Sequence, residues 1–212
     1  MTYSLHGLRL KIETYITKLK NLLTESRFTH SVGAMQTMAE LADIYSLDRQ
    51  KAETIGLLHD AAKDLSKEVI DRIIKEGKIR IQHNCEMDYD NYLHGPVGAY
   101  LIQKEFEITD QEIIDAIYVH TFCDCDRNFN NPLSWCLRIS DLIEPNRDWT
   151  KMGWMDVGVK ELRKVALQGH MKEAALIHLN LVIKLFKTNT VTIHPNIYRC
   201  IDELSSNLLY LP

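Results

Sequence analysis

The sequence predicts an all-α protein, and two observations carry that prediction. The chain of 212 residues contains only 9 glycines and 5 prolines, whereas these two residue types make up about 12% of an average protein. Apolar residues recur at intervals of three and four along most of the chain, which is the period of an amphipathic helix. No convincing alternation of apolar and polar residues indicates a strand.

Four helices are predicted in the first third of the chain. In residues 8–23 the apolar stripe passes through Leu8, Ile12 and Ile16 and ends at Leu23, so these side chains share one face of a helix. Two of the other helices carry broad apolar faces, and the last is short and charged. They are predicted over residues 28–45, 49–60 and 66–76.

The next part of the chain begins with an irregular segment over residues 77–92, which is rich in Asn and Asp. Pro96 fits the first turn of a following helix, where its missing N–H costs nothing; that helix runs to about Phe106. Thr109 and Glu112 have the spacing of a capping box and predict the start of another helix. Further helices are predicted from Pro132 to Pro145, and two or three more at about 151–168, 171–187 and 195–209.

Composition and charge limit the class of function. The chain has 25 Lys and Arg against 29 Asp and Glu, a net charge of −4, which disfavours a protein that wraps nucleic acid. No stretch approaches the ~18 consecutive apolar residues of a membrane span, and the N-terminus lacks the order of a signal peptide. Five cysteines, an odd number, predict free thiols in a reducing cytosol. We therefore expect a cytoplasmic protein without a membrane partner.

A recurring pattern of histidine and aspartate at the ends of apolar helices predicts a site. His59 and Asp60 directly follow the apolar run that begins at Ile55. Side chains there face the interior, where a bare charge is costly unless it is paired or bound to a metal. The same arrangement recurs at other predicted helix ends and helix interiors, namely at His30, His94, His120 and Asp141.

Two interpretations of these residues compete. A single histidine at a helix end is most often a cap or a satisfied core residue, and this default applies to His83, His170, His178 and His194, although His178 could line the edge of a pocket. Several such groups on separate helices instead indicate a metal site. Imidazole and carboxylate ligands suit iron, manganese or zinc, and a mixed set without cysteine favours a catalytic centre.

Five short segments carry a more specific signal, namely Arg27–Ser31, Gly56–Lys63, Leu93–Ala99, Val119–Thr121 and Ile139–Arg147. Together they resemble the HD-domain phosphohydrolases, and more narrowly the bacterial YqeK-type subfamily. They occur in the family's order and with similar spacing. The Leu-His-Gly-Pro-Val-Gly-Ala and Glu-Pro-Asn-Arg strings are the most specific to the subfamily.

The resemblance implies an all-α HD-domain bundle with a metal site between its helices. It also implies one or two divalent ions, iron first with manganese or zinc as alternatives, and symmetrical cleavage of diadenosine tetraphosphate to two ADP. The resemblance covers roughly residues 20–150. We expect residues 1–150 to hold the catalytic core, with motifs at about 27–147, and residues 151–212 to add helices packed on the same domain. The expected partner is a small nucleotide, and a homodimer is left open.

The resemblance also implies roles for individual residues. The primary metal ligands would be His30, His59, Asp60 and Asp141. His94 and His120 would hold a second metal or contact phosphate. Groups on the phosphate side would be Arg27, Lys63 and Arg147. Asp60 and Lys63 would act in catalysis, because Asp60 can bridge two metals or orient the attacking water, and Lys63 follows it by about one helical turn.

One loop departs from the family pattern. The family continues His-Thr-Thr-Gly where this chain has His120, Thr121, Phe122 and Cys123. A loop between two ligand-bearing helices is a natural pocket wall, so Phe122 is expected to stack on a base and Arg127 to meet a phosphate. The departure keeps two alternatives open: a phosphohydrolase acting on a nucleoside monophosphate, a cyclic nucleotide or a guanosine alarmone, and a non-catalytic nucleotide sensor.

Overall fold

A computed structural model describes residues 5–123 and 130–206 of the chain, with side chains from residue 11 onward. These residues form helices and no strand, which confirms the all-α prediction. None of the helices in this part of the chain is long and apolar enough to cross a bilayer. The helices are α1 (Leu5–Lys20), α2 (Glu25–Ile44), α3 (Arg49–Leu58), α4 (Lys67–Glu76), α5 (His94–Glu105), α6 (Gln111–Val119), α7 (Pro132–Ile143), α8 (Gly153–Leu167), α9 (Met171–Thr188) and α10 (Pro195–Ser205).

The centre of the bundle is a tight pair, α2 against α3, with α7 packed beside them. Gly56 allows this close approach, because a Cβ atom built there would lie 2.7 Å from the Cα atom of Met35. A side chain at residue 56 would push the two helices apart. The pair carries His30 on α2 and His59 at the end of α3, so the close packing brings the two imidazoles together.

The C-terminal helices share the core of the preceding ones. α8 packs against α7 and α9, and α10 packs against α9. The hydroxyl of Tyr45 on α2 donates to the carbonyl of Ala166 on α8 over 2.7 Å. The division of the chain at residue 150 into a catalytic core and added helices stays a prediction.

A buried polar contact fastens α10 to the segment between α4 and α5. This segment, predicted to be irregular, contains a 3₁₀ turn (Asn84–Met87) and a π turn (Tyr89–Leu93). Nε2 of His194 lies 2.8 Å from Oε1 of the Glu86 carboxylate, and both side chains are buried. Nδ1 of His194 accepts a hydrogen bond from the backbone N–H of Asn196, so Nε2 carries the proton and donates to Glu86.

The start of α6 differs from the predicted capping box. The side chain of Asp110, not Thr109, caps the helix by accepting from the backbone N–H groups of Glu112 and Ile113. The Glu112 carboxylate does not reach back to the cap, because it is paired with the ammonium of Lys51. Aspartate is among the strongest N-cap residues, and it takes the position that the threonine was predicted to hold.

This difference gives a prediction about stability. We expect Asp110→Ala to lower the free energy of unfolding by about 1 kcal/mol, because two N–H groups lose their acceptor. Thr109→Ala is the matched control and should change it by less than about 0.5 kcal/mol, as surface substitutions usually do. Urea unfolding of both variants measures the difference. A larger loss for Thr109→Ala than for Asp110→Ala would contradict the assignment.

Candidate metal centre and nucleotide site

The structure brings the six predicted ligand-type side chains to one place. Five helices meet there, and each presents its residue at or near an end or on the face turned towards its neighbours. The side chains are His30 on α2, His59 at the C-terminus of α3, Asp60 directly after it, His94 at the start of α5, His120 at the C-terminus of α6 and Asp141 on α7.

Hydrogen bonds from their Nδ1 atoms orient two of the histidines. His59 donates from Nδ1 to the carbonyl of Gly56 over 2.8 Å, and His120 donates to the carbonyl of Ile117 over 2.6 Å. A carbonyl only accepts, so in each neutral ring the proton sits on Nδ1. Nε2 of both rings therefore carries a free lone pair, which is the state of a metal-binding histidine.

The other two histidines have the same orientation. Nδ1 of His30 lies 3.1 Å from Oε1 of the buried Glu144 carboxylate, and Nδ1 of His94 lies 3.0 Å from the carbonyl of Tyr89. The carboxylate can only accept, so Nδ1 of His30 is the donor. Nδ1 of His94 faces the Tyr89 carbonyl, which accepts, and also lies 3.1 Å from the Lys63 ammonium, which donates. Glu144 thus orients His30, and its carboxylate also accepts from the backbone N–H of Asn146.

The Nε2 atoms converge on Asp60. Nε2 of His30 and Nε2 of His59 are 3.3 Å apart, and Nε2 of His94 and Nε2 of His120 are 3.2 Å apart. The Asp60 carboxylate belongs to two groups, His30–His59–Asp60 and Asp60–His94–His120, whose ligand atoms all lie within 4.8 Å of one another. Lone pairs that face each other at such distances repel unless a cation or a proton lies between them. The donor set therefore fits one or two divalent metal ions.

Asp141 lies beside the first of these groups. Its Oδ1 atom is 3.0 Å from Nε2 of His30 and 3.6 Å from Nε2 of His59. The guanidinium of Arg147 donates to the same oxygen. Asp141 thus stands where a fourth ligand of the first group would stand, and Arg147 is held at the rim.

The electrostatics of the centre favour ionised carboxylate and neutral imidazole. Burial opposes the charge on Asp60, but favourable electrostatic interactions with His59, His94 and Lys63 outweigh it and hold the pKa of the carboxyl well below its usual range. Burial lowers the pKa of His120 to about 4 and that of His94 well below its usual value, where Lys63 adds to the effect. These are the protonation states that metal ligands need.

His30 differs from the other histidines. Burial opposes its charge, but its hydrogen bonds to Asp141 and Glu144 raise the pKa of the ring to about 9. Two carboxylates hydrogen-bonded to one imidazole thus attract positive charge to this position.

Three predicted phosphate-side cations surround the centre. The ammonium of Lys63 donates to the carbonyl of Asp90 and lies 3.1 Å from Nδ1 of His94. Burial lowers the pKa of Lys63, although Asp60 opposes this. Arg27 places one nitrogen 3.6 Å from Oδ2 of Asp60. With Arg147, these residues bring positive charge to the side of the carboxylates that opens to solvent.

Two cavities flank the metal centre and meet at Arg27 and Arg147. The inner pocket, of about 410 Å³, is bounded by Lys63, His94, His120, Arg138, His178 and Phe186. The outer cleft, of about 870 Å³, is bounded by Ser26, Thr29, His30, Glu144 and Trp149. Arg27 and Arg147 line both cavities.

Sequence reasoning missed Arg138, which lies in the wall of the inner pocket. Its guanidinium carbon is 4.6 Å from the ring centroid of Phe122 and 4.7 Å from that of Trp135, and one nitrogen donates to the carbonyl of Val119 over 2.7 Å. Burial lowers its pKa to about 10, so it stays charged at neutral pH. The available signal was an arginine three residues before Asp141 in an otherwise apolar helix.

The loop after His120 is described as far as Cys123. Phe122 is buried and adopts a positive φ of 67°, and its carbonyl accepts from Nδ2 of Asn196 over 2.8 Å. The Phe122 ring packs on Arg138 and forms part of the wall of the inner pocket, and its predicted stacking on a base stays a prediction. Cys125, Asp126 and Arg127 lie outside the described residues.

His178, for which the sequence favoured a structural role, also lies in the pocket wall. Burial lowers the pKa of its imidazole to about 3, and Arg138 adds to the effect. The folded protein therefore binds fewer protons than the unfolded chain between the ordinary pKa of about 6.5 and pH 3. The resulting stability is complete above pH 6.5 and is lost as the pH falls.

This linkage predicts that the free energy of unfolding falls with pH in part because of one residue, His178. Between pH 7 and pH 5, His178 should account for a loss of about 2 kcal/mol in the free energy of unfolding. In His178→Gln that part of the loss should disappear, since glutamine does not titrate. Denaturant unfolding at the two pH values measures it, and equal losses in wild type and variant would show that His178 binds a proton as readily in the folded protein as in the unfolded chain.

The comparisons with known proteins agree with this geometry. A family model described as the HD domain matches residues 27–144, and the chain belongs to the HD domain family. It is 36% identical over 181 residues to the symmetrical bis(5'-nucleosyl)-tetraphosphatase of Bacillus subtilis. That alignment covers 84% of this chain and 89% of the relative. Identity is also 36% over 132 residues with the protein of that name from Halalkalibacterium halodurans, covering 62% of this chain and 67% of the relative.

A solved structure supports the same assignment. An HD superfamily hydrolase from Clostridium acetobutylicum, described as involved in NAD metabolism, superposes with a TM-score of 0.78 at 31% identity. The match covers 92% of this chain and 97% of the other. The family resemblance that the sequence motifs indicated is therefore confirmed.

Proposed function

We propose that this chain is a metal-dependent phosphohydrolase that cleaves diadenosine tetraphosphate symmetrically into two ADP. The observation that carries the proposal is the convergence of four histidine Nε2 atoms and the Asp60 carboxylate beside a pocket with cationic walls. Relatives with the name of this activity share 36% identity over most of their length. The nucleotide substrate and the enzyme class follow from these two findings together.

The metal ligands in this proposal are the six converging side chains. His30, His59, Asp60 and Asp141 would hold one ion, and Asp60, His94 and His120 a second. A divalent metal bound there supplies Lewis acidity at the phosphoryl oxygen and an activated water at neutral pH. Iron is the first candidate, because imidazole and carboxylate donors suit it, and manganese and zinc fit the same donors.

The protein's own residues position the tetraphosphate. Lys63 and Arg147 stand on two sides of the metal centre, and Arg27 extends the positive rim. Guanidinium and ammonium groups bind phosphate oxygens by charge-assisted hydrogen bonds. Negative charge builds up on the oxygens of the reacting phosphate in the transition state. Because the cations are already fixed beside these oxygens, they stabilise that charge and lower the free-energy barrier to hydrolysis.

The reaction can be written so that its atoms balance. The oxygen of a water molecule bonds to one of the two central phosphorus atoms, and the bond from that phosphorus to the central bridging oxygen breaks. One ADP carries the water oxygen, the other keeps the bridging oxygen, and two protons are released near neutral pH. Arg147 and Lys63 are placed to stabilise the charge on the two products.

An isotope experiment tests the function. Purified protein loaded with Fe²⁺, Mn²⁺ or Zn²⁺ in parallel is given diadenosine tetraphosphate in H₂¹⁸O, and products are resolved by mass spectrometry. The expected product is ADP alone, with half of its molecules carrying one ¹⁸O atom. A product mixture of ATP and AMP, or activity confined to guanosine alarmones, cyclic nucleotides or monophosphates in a parallel panel, would overturn the proposal.

A further inference from the structure

We propose that the two cavities are the two nucleoside subsites of one substrate molecule, and that Trp149 is the stacking surface for the second adenine. The inference rests on the proposed function, because only a substrate with a nucleoside at each end needs two such subsites. The inner pocket would receive one ADP half and the outer cleft the other. The class of ligand for the outer cleft is thus a purine nucleoside attached to a polyphosphate.

Symmetrical cleavage itself requires room on both sides of the metal centre. The bond that breaks lies at the middle of the substrate, so equal arms extend from it in two directions. The inner pocket, at about 410 Å³, is near the lower end of the ~300–1,000 Å³ that pockets for a single drug-sized ligand occupy. It accommodates one arm, and the other arm must leave past Arg27 and Arg147 into the outer cleft.

The position of the two shared arginines supports this path. Arg27 and Arg147 are the residues that line both cavities, and each touches a carboxylate of the metal centre, Asp60 and Asp141 respectively. A chain of phosphates that runs from one cavity to the other therefore passes two fixed guanidinium groups where it crosses the reacting centre. Guanidinium groups are well suited to such contacts.

The outer cleft contains one aromatic side chain that is held in place. Nε1 of Trp149 donates to the carbonyl of Leu142 over 3.0 Å, and the guanidinium carbon of Arg147 lies 5.6 Å from the centroid of its ring. The indole is half-buried and lines the cleft. A base can stack on an indole fixed in this way whatever its hydrogen-bonding edge, since every base offers a π face.

Kinetics on two substrates test the subsite. We compare kcat/KM for diadenosine tetraphosphate with kcat/KM for adenosine 5'-tetraphosphate, which has one adenosine and can use the inner pocket alone. Trp149→Ala should lower the first value about 10-fold or more, the range expected for loss of one base stack, and leave the second within about twofold. Trp149→Phe should restore the first value, because a phenyl ring still stacks.

The matched control is Trp154→Ala. Trp154 is also half-buried and also lies beside a cation, Lys184 at 4.3 Å, but it lines neither cavity. The Trp154→Ala substitution should therefore leave both kcat/KM values unchanged. A fluorescence titration with diadenosine tetraphosphate whose central bridging oxygen is a methylene group adds a binding readout, in which quenching should be smaller in Trp149→Phe than in wild type.

The outcomes separate the two levels of the proposal. If wild type does not form ADP from diadenosine tetraphosphate, the proposed function fails and the subsite fails with it. If wild type forms ADP but Trp149→Ala keeps its preference for the dinucleotide, the function stands and the outer subsite is refuted. An equal loss on both substrates would also refute it, since that result means Trp149 supports the metal centre and not a base.

Discussion

Asp60→Ala is expected to lose both metal ions and at least about 1,000-fold in kcat, because one carboxylate serves both ligand groups and the chemistry depends on the bound metal. The two groups are His30–His59–Asp60 and Asp60–His94–His120. His59→Ala should lose the ion of the first group. Metal content per chain by mass spectrometry, measured beside the rate of ADP formation, checks both results.

A neighbouring carboxylate provides the control for this prediction. Asp64 accepts from the backbone N–H and the hydroxyl of Thr24 and contacts Arg27, and it belongs to neither ligand group. Asp64→Ala should keep the full metal content. Stoichiometric metal in a folded Asp60→Ala protein would refute the ligand assignment. Circular dichroism of each variant shows whether the helices have formed.

Lys63→Ala is expected to keep the metal and lose about 100- to 1,000-fold in kcat/KM, as removal of one charge-stabilising donor does elsewhere. Its ammonium contacts the carbonyl of Asp90 and the ring of His94 and extends into the inner pocket. It therefore stands close to the reacting centre while making no contact that would bind metal. Steady-state kinetics and metal analysis of the same sample measure both parts.

Lys67 serves as the comparison for charge alone. It is an exposed lysine at the start of α4, paired with Asp71, and Lys67→Ala should leave the rate unchanged. Loss of metal from a folded Lys63→Ala would show that Lys63 supports the ligands and not the substrate. A rate equal to that of wild type would remove Lys63 from the phosphate site.

The parts of the site that the sequence predicted are those whose signal is local. His59 and His120 each end an apolar helix, and that position can be recognised from the preceding turns alone. Bundle packing then leaves such residues facing the interior, where bare charge requires a partner. The helices were predicted from local periodicity in the same way. Their observed ends differ slightly from the predicted ones where two neighbouring residues could each cap the helix, as at Asp110.

The parts that it did not predict depend on contacts between distant residues. Glu144 lies 114 positions from His30, and nothing near Glu144 in the sequence indicates that partner. Arg138 is similar, because its role depends on how Phe122 and Trp135 close around it. Such pairings follow from helix packing and cannot be read from periodicity.

The contact between Glu86 and His194 has a consequence for the modularity of the protein. Residues 27–144 match the family model, yet a chain cut after them would lack His194 and leave the buried Glu86 carboxylate without that donor, at a cost of about 1–3 kcal/mol or more. The cut would also remove His178 from the pocket and Asn196 from the Phe122 carbonyl. Residues 27–144 are therefore not an autonomous unit. Transfer of the activity to another protein requires that helices α8 to α10 be included.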